Sequence, residues 1–206
     1  MSGSDFWCHE RPLILASQSA TRLTLLQSAG LKPLTVAPDV DERALEADMV
    51  THEPAALAGA LAGAKAAEVS RRHQGHVVIG ADQVLVLGDS LLHKPRDRKA
   101  AKAQLMALAA APVHELVSAV AVFRDGQRLW ADASVARLTM RMPGEAFLEL
   151  YLDKVGDKAL SSVGGYQIEG YGIQLFDKIE GDHSTILGLP LLPLLGFLRA
   201  AGFMMS

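Results

Sequence analysis

The chain carries one cysteine, Cys8, in 206 residues. An intrachain disulfide and a CxxC redox or metal pair are therefore both excluded, and the count suits a reducing compartment. Long basic runs are also missing. The pair Arg71-Arg72 is too short to form a patch, and the net charge is −3 with a pI near 6.1, so no nucleic-acid partner is expected. The N-terminal residues lack a basic stretch followed by an apolar one, so no secretory signal is expected there. The greasiest run, Ile186 to Leu198, falls short of the ~20 residues a bilayer span takes. It also contains Pro190 and Pro193. It predicts a buried C-terminal helix with Pro190 near the first turn, and no membrane partner. Together these absences predict a cytoplasmic protein.

The familiar catalytic signatures are absent too. The seven histidines show no HExxH spacing, and the chain has no GxSxG elbow and no GxxxxGK[ST] loop. Internal repeats, low-complexity segments and obvious linkers are also missing. Half the residues are hydrophobic and 21% are charged, an ordinary globular balance. The length suits one large domain or two small lobes.

What is present starts at Leu13-Ile-Leu-Ala-Ser17-Gln-Ser19-Ala-Thr-Arg22. Four apolar residues predict a short buried strand. Two serines and an arginine follow, then an apolar pattern that ends at Gly30, which predicts a helix capped by Ser19. A helix start offers free N–H groups and the positive end of a dipole, so two hydroxyls and a guanidinium there suit an anion such as phosphate. Taken alone, Ser19 reads equally as a plain N-cap and Arg22 as a solvated helix residue.

Further on, Leu34–Ala37 predicts a short strand and Pro38–Glu42 a polar loop. The Ala-rich stretch Pro54–Arg72 predicts a helix containing Lys65. Val77–Ala81 predicts a buried strand ending at Asp82 and Gln83. Val84–Leu87, the turn Gly88-Asp89 and Leu91-Leu92 predict a hairpin before His93-Lys94-Pro95. Asp97 caps a helix reaching about Leu108, and Asp125-Gly126 joins two strands, Leu116–Phe123 and Arg128–Leu138. Gly144–Leu152 predicts a helix, and the glycine-rich region Val163–Phe176 reads as β-like. Strands and helices intersperse with hairpins, which predicts an α/β fold with a mixed sheet.

Asp82 is the sharpest single residue. A carboxylate directly after five apolar strand residues needs a metal, a cation or hydrogen bonds, because burying a lone charge costs several kcal/mol. A structural ion pair would satisfy it equally well. Asp41, Glu42, Lys65, Lys94 and Glu169 are further polar residues beside apolar or glycine-rich segments. With Ser17, Ser19 and Arg22 they supply the ingredients of metal-assisted phosphate chemistry: carboxylates for a divalent cation, and cations for phosphate oxygens.

Taken in order, these segments resemble the Maf (septum formation) proteins, which are nucleoside triphosphate pyrophosphatases. The marks are Leu13-Ile-Leu-Ala-Ser-Gln-Ser19 with Arg22, Val40-Asp-Glu42, Ala64-Lys65-Ala66, Val78-Ile-Gly-Ala-Asp82, Lys94-Pro95, Gly164-Gly-Tyr-Gln-Ile-Glu-Gly170 and Ile186-Leu-Gly-Leu-Pro190. The resemblance covers nearly the whole chain, from Leu13 to about Gly202. The resemblance implies one Maf-like domain over residues 1–206, with 1–12 as an N-terminal extension. It also implies a two-lobed, inosine triphosphatase-like fold with an elongated mixed sheet flanked by helices and the nucleotide in a cleft. The implied reaction cuts a nucleoside triphosphate to monophosphate and pyrophosphate with a divalent metal, Mg²⁺ or Mn²⁺, and a homodimer is implied as well.

By position, the resemblance makes Asp82 the acid that activates water and a metal ligand, with Glu42 beside it at the metal. Ser17, Ser19 and Arg22 fall in the phosphate loop, and Lys65 and Lys94 are substrate-binding lysines. Specificity falls to Thr21, Gln83 and Glu169. The branch acting on dTTP and UTP has arginine, threonine and glutamine at those three positions. The patterns Asp82-Gln83-Val84 and Glu169-Gly170-Tyr-Gly172 look instead like the branch associated with 7-methyl-GTP. That branch often has an aromatic residue at position 21 and an arginine at 23, where this chain has Thr21 and Leu23. The alternatives are a dTTP/UTP-preferring enzyme and a nucleotide-binding regulator of cell division with incidental activity.

Overall fold

The computed structural model describes residues 6–49 and 53–206. Two compact units make up the chain. The first comprises Met1–Gln83, Val117–Ser134 and Asp182–Ser206, and the second Val84–Leu116 and Val135–Gly181. Three strands of one mixed sheet run through both.

The first unit is built on β1 (Ile14–Ala16), which pairs in parallel with β2 (Leu34–Thr35) on one side and with β3 (Val78–Leu87) on the other. Ile14 faces Leu34 and Val78, and Ala16 faces Gly80. Helix α1 (Ala20–Ser28) starts where predicted: Ser19 accepts a hydrogen bond from the Arg22 N–H, and Gly30 follows the helix with φ +81°, the left-handed conformation glycine adopts without strain. The stretch expected to be wholly loop at Pro38–Glu42 instead ends in α2 (Glu42–Asp48), because the Asp41 side chain caps the Ala44 N–H at 3.0 Å.

Helix α3 spans Pro54–Arg72, as its Ala-rich pattern predicts. Its buried face, which also holds Leu57, Leu61 and Val69, carries a stripe of small residues, Ala58, Ala62 and Ala66, all fully buried. Gly80 of β3 lies under that stripe. A Cβ there would collide with the Ala62 carbonyl oxygen and lie 2.8 Å from the Ala66 nitrogen and 2.9 Å from its Cβ. Small residues on both sides let helix and strand close up.

The C-terminal apolar run is two helices, not the single one expected. Short α6 (His183–Ile186) is capped by Asp182, and α7 (Leu191–Ala200) begins after Pro190. Gly188, at φ +93°, makes the break. Leu194 and Leu198 of α7 enter a core with Leu15, Leu26, Ile79 and Val122. Burying each such side chain is worth about 1.5–3 kcal/mol. Residues 6–8 are tied to the C-terminal segment by a Trp7–Met204 bridge and by hydrogen bonds from Cys8 N to Phe203 O and from Met205 N to Phe6 O.

In the second unit β3 continues to Leu87 without interruption, so Val78–Ala81 and Val84–Leu87 belong to one strand, which Val77 only precedes, and it turns at Gly88 into β4 (Ser90–Leu92). Asp97 caps α4 (Arg98–Ala110). Ion pairs from Lys102 to Glu145 and Glu149, and from Arg98 to Glu149 and Asp153, tie α4 to α5 (Glu145–Val155). Strand β5 (His114–Arg124) turns at Asp125-Gly126, both at positive φ, into β6 (Gln127–Met140), as a two-residue hairpin loop requires; the turn itself, with residues 117–134, belongs to the first unit.

The region expected to be β-like at Val163–Phe176 is instead turns and a 3₁₀ helix, Tyr171–Leu175. Strand β7 (Phe176–Glu180) starts only at its end and pairs antiparallel with β6. The backbone donors that a ladder would need are used locally: the Gly170 and Gly172 N–H groups both donate to the Gln167 carbonyl, each at 3.1 Å. The order across the sheet is β2-β1-β3-β5-β6-β7, with β4 on β3. No described helix is long and apolar enough to cross a membrane.

Candidate functional site

Strand periodicity places Asp82 on the same face of β3 as Gly80. That is the face α3 covers, and α3 carries Lys65 one residue before Ala66. Close packing at Gly80 thus delivers the Lys65 ammonium onto Asp82 Oδ1, and Lys65 Nζ also lies 3.0 Å from Glu42 Oε1 at the start of α2. The Lys65 and Asp82 side chains are 8% and 11% exposed, whereas Glu42 is 53% exposed. Three residues nominated from sequence therefore meet at one point. The structural ion pair and the functional reading of Asp82 describe the same contact.

Arg22 adjoins this group from α1. Its Nε donates to the Gly188 carbonyl and its Nη1 to the Ala81 carbonyl, both at 2.8 Å, and Nη1 also reaches Ser17 Oγ at 3.4 Å. Burial pulls the guanidinium pKa down, while the charges of Asp82 and Glu42 oppose that shift. Arg22 is accordingly no solvated helix residue. It links the β1 loop, β3 and the α6–α7 junction.

Ser17 is buried, and its Oγ accepts from the Ser19 N–H at 3.2 Å, which folds the loop into a tight serine turn. Ser17, Gln18, Ser19 and Ala20 line an open depression of about 370 Å³ with Leu23, Thr35 and Ala37. Thr21 is half-buried in the first turn of α1.

Gln83 has a more structural setting than its nomination for specificity suggested. Its Nε2 donates to Ser118 Oγ at 2.9 Å and to the Thr185 and Ile186 carbonyls at 3.0 Å each. Buried Ser118 itself donates to the Thr185 carbonyl at 2.7 Å. Sequence reasoning missed Ser118 and Thr185. A signal existed for the first, since Ser118 is the one hydroxyl in the otherwise apolar run Leu116–Phe123.

Lys94 and Glu169 belong to the second unit, where both are exposed, Lys94 just after β4 and Glu169 in the Gly164–Gly170 turn. A buried cluster that the sequence did not disclose supports that turn. His114 Nε2 and the Tyr166 hydroxyl are hydrogen-bonded at 3.0 Å, and the two rings pack against Phe176. Gly164 is a glycine because a Cβ there would strike the Tyr166 ring. The Tyr151 hydroxyl donates to the Gly165 carbonyl at 3.3 Å and accepts from the Gln167 N–H at 3.1 Å. Burial pushes the Tyr151 phenol up to about 12, raises that of Tyr166 still further, and lowers the His114 imidazole to about 4. His114 Nδ1 is buried without a hydrogen-bond partner.

The chemistry of the Glu42 and Asp82 donors fits a divalent cation. Both carboxylates converge on one ammonium nitrogen. Mg²⁺ is commonly held by one or two carboxylates, with water and phosphate completing its shell. Among the described residues no group of three or more His, Cys, Asp or Glu forms a complete cage, so the protein side of such a site would be this pair.

Known proteins resemble this chain over nearly its whole length. A nucleoside triphosphate pyrophosphatase of Rhodopseudomonas palustris is 55% identical over 194 residues, covering 94% of this chain and 96% of that protein. Two proteins named 7-methyl-GTP pyrophosphatase are comparably similar: that of Brucella abortus at 51% over 91% of this chain and 94% of its own, and that of Mesorhizobium japonicum at 53% over 92% and 96%. A crystal structure of a nucleoside-triphosphatase (dITP/XTP pyrophosphatase) from Mycobacterium abscessus aligns with a TM-score of 0.43 at 16% identity, over 94% of each chain. The family model for Maf-like proteins matches residues 12–201, a span that contains the serine turn, the Glu42–Lys65–Asp82 group and the Gly164–Gly170 turn, and the chain belongs to that family.

Proposed function

We propose that this chain hydrolyses a nucleoside triphosphate to the monophosphate and pyrophosphate, with Asp82 as the group that activates water. The observation that carries the reading is a buried carboxylate held by one ammonium, with the Arg22 guanidinium bonded both to the residue before it and to Ser17 of the serine turn that lines a depression at a helix N-terminus. Binding alone needs cations around phosphate. It does not need a carboxylate placed among them.

In this mechanism the backbone N–H groups at the start of α1, with Ser17 and Ser19, receive phosphate oxygens. Arg22 and Lys65 add positive charge there, and Lys94 is assigned to the same task. The Asp82 carboxylate takes a proton from the water that attacks the α-phosphorus. The α–β bridging oxygen leaves with pyrophosphate, whose charge the cations stabilise. Glu42 and Asp82 are the residues that would hold a divalent cation, Mg²⁺ or Mn²⁺, which supplies charge neutralisation on the phosphates when bound.

For the base we propose guanine, and 7-methylguanine in particular, read by Glu169. A carboxylate accepts hydrogen bonds from the guanine N1–H and exocyclic amine, and it favours the positive charge of the methylated ring. Uracil and thymine present one N–H between two carbonyls and offer less. The names of the Brucella and Mesorhizobium relatives support this choice. A nucleotide substrate and a lone cysteine fit the cytoplasm.

The test is to incubate the purified chain with Mg²⁺ and a panel of 7-methyl-GTP, GTP, UTP and dTTP, assaying pyrophosphate and orthophosphate separately. Pyrophosphate release with 7-methyl-GTP leading is expected. Orthophosphate without pyrophosphate refutes the reaction. A ranking of kcat/KM that Glu169→Gln leaves unchanged refutes the role of Glu169 alone.

A further inference from the structure

Lys65 occupies an unusual place for a substrate-binding lysine. Its ammonium is not aimed at open space. It sits on both carboxylates that the proposed function assigns to the divalent cation, at 3.0 Å from Glu42 and in short contact with Asp82. We propose that Lys65 is a resident counter-ion that the divalent cation must displace, so that cation binding moves the ammonium off the carboxylates and frees it for phosphate. The inference rests on the reading of Glu42 and Asp82 as the cation's ligands.

The physical case has three parts. First, an ammonium and a divalent cation compete for one pair of carboxylates, because like charges a few ångströms apart repel strongly in a site this little exposed. Second, the arrangement solves a problem of the empty enzyme. Asp82 is nearly buried beside apolar β3 residues, and without the ammonium its charge would lack a close partner except the Arg22 field. Third, Lys65 has somewhere to go. Its stem is four methylenes long and its other carboxylate partner, Glu42, is half-exposed, so the ammonium can swing outward past Glu42 while Ala62 and Ala66 keep α3 in contact with Gly80. The result is an exchange of partners: the carboxylates pass from ammonium to metal, and the ammonium passes from carboxylate to phosphate. Net charge at the site rises only when the cation arrives, which is also when a tetra-anionic triphosphate needs it.

Direct binding of Mn²⁺, followed by loss of the free-ion electron paramagnetic resonance signal without nucleotide, tests this on the full chain. Lys65→Met removes the competitor and keeps the apolar stem. It is expected to bind Mn²⁺ at least ~10-fold more tightly than the unmodified chain, given the repulsion removed between a unit and a double charge a few ångströms apart. Lys65→Arg keeps the charge and should bind no more tightly than the unmodified chain. Circular dichroism checks the fold, and Lys65→Gln carries the same expectation should Lys65→Met fail to fold. Equal or weaker Mn²⁺ binding by the charge-removing variant overturns the proposal while leaving the hydrolytic function standing. Glu42→Gln and Asp82→Asn, each in the Lys65→Met background, must abolish the gain. If they do not, the cation lies elsewhere, and the assignment of Glu42 and Asp82 as ligands fails with the proposal.

Discussion

His114 makes the chain's acid stability calculable. The side chain is 1% exposed, its Nε2 is engaged with the Tyr166 hydroxyl, and its Nδ1 has no partner. Burial holds its pKa at about 4, against 6.5 for a free histidine. In the unfolded chain the imidazole takes up a proton near pH 6.5, and in the folded chain only near pH 4. Between those values the unfolded state binds more protons, so the stability contributed by the neutral histidine is full above pH 6.5 and is lost as pH falls toward 4. The interval corresponds to about 3 kcal/mol at 1.36 kcal/mol per pH unit, a large part of the 5–15 kcal/mol typical of a folded domain. The perturbation is His114→Gln, which keeps a polar group near Tyr166 and removes the titration. Urea unfolding of both proteins at a series of pH values from 7.5 to 4 isolates the effect, because the carboxylates common to both cancel in the difference. The variant is expected to start less stable at pH 7.5, by the lost packing, and to gain on the parent by about 3 kcal/mol by pH 4. Curves that stay parallel over that range refute the reasoning, since they would mean that His114 titrates alike in the folded and unfolded chains.

Asp82→Asn should cut pyrophosphate release by at least ~100-fold while circular dichroism shows the fold intact, as expected on removing an acid–base group. Gly80→Ala should lower the melting temperature and depress turnover together, because forcing a methyl against the α3 backbone costs about 1–3 kcal/mol and moves Lys65 away from Asp82; unchanged melting would contradict the close packing. Arg22→Ala should weaken all triphosphates alike and also destabilise the chain by about 1–3 kcal/mol, the cost of leaving buried carbonyls unpaired, which thermal unfolding measures without substrate.

The parts of this molecule written in local pattern were legible from sequence. Helix α3 follows from its Ala-rich periodicity, the β5–β6 hairpin from Asp125-Gly126, and α1 and α4 from Ser19 and Asp97 as caps. What escaped depends on contacts between distant residues. The glycines of 164–172 resemble those of bends in a strand, but Tyr166 and Gln167 draw the backbone into turns, and no local signal announces that His114, about fifty residues earlier, bonds to Tyr166. The candidate site divides in the same way. Asp82 announced itself as a carboxylate ending an apolar run, Glu42 and Lys65 as polar residues beside apolar segments, and the resemblance gave those two their roles. That one ammonium bridges both carboxylates follows from the closeness of α3 to Gly80, a matter of packing. Gln83 was nominated for reading a base, whereas its amide hydrogens turn out to be engaged by Ser118 and two α6 carbonyls.

That engagement bears on how the substrate range of this chain could be redesigned. A threonine at position 83, the residue that the family resemblance gives to the dTTP/UTP branch, carries one hydroxyl donor on a short stem. It would reach at most one of the three acceptors the glutamine now serves. The Ile186 carbonyl would lose its side-chain donor and the Thr185 carbonyl would keep only Ser118, and α6 leads directly into Gly188, whose carbonyl anchors Arg22. Exchanging this single residue would therefore disturb the proposed phosphate end of the site before any change at the proposed base end was read. A graft that respects the structure transplants position 83 together with Ser118 and the 182–188 turn, as one inherited block.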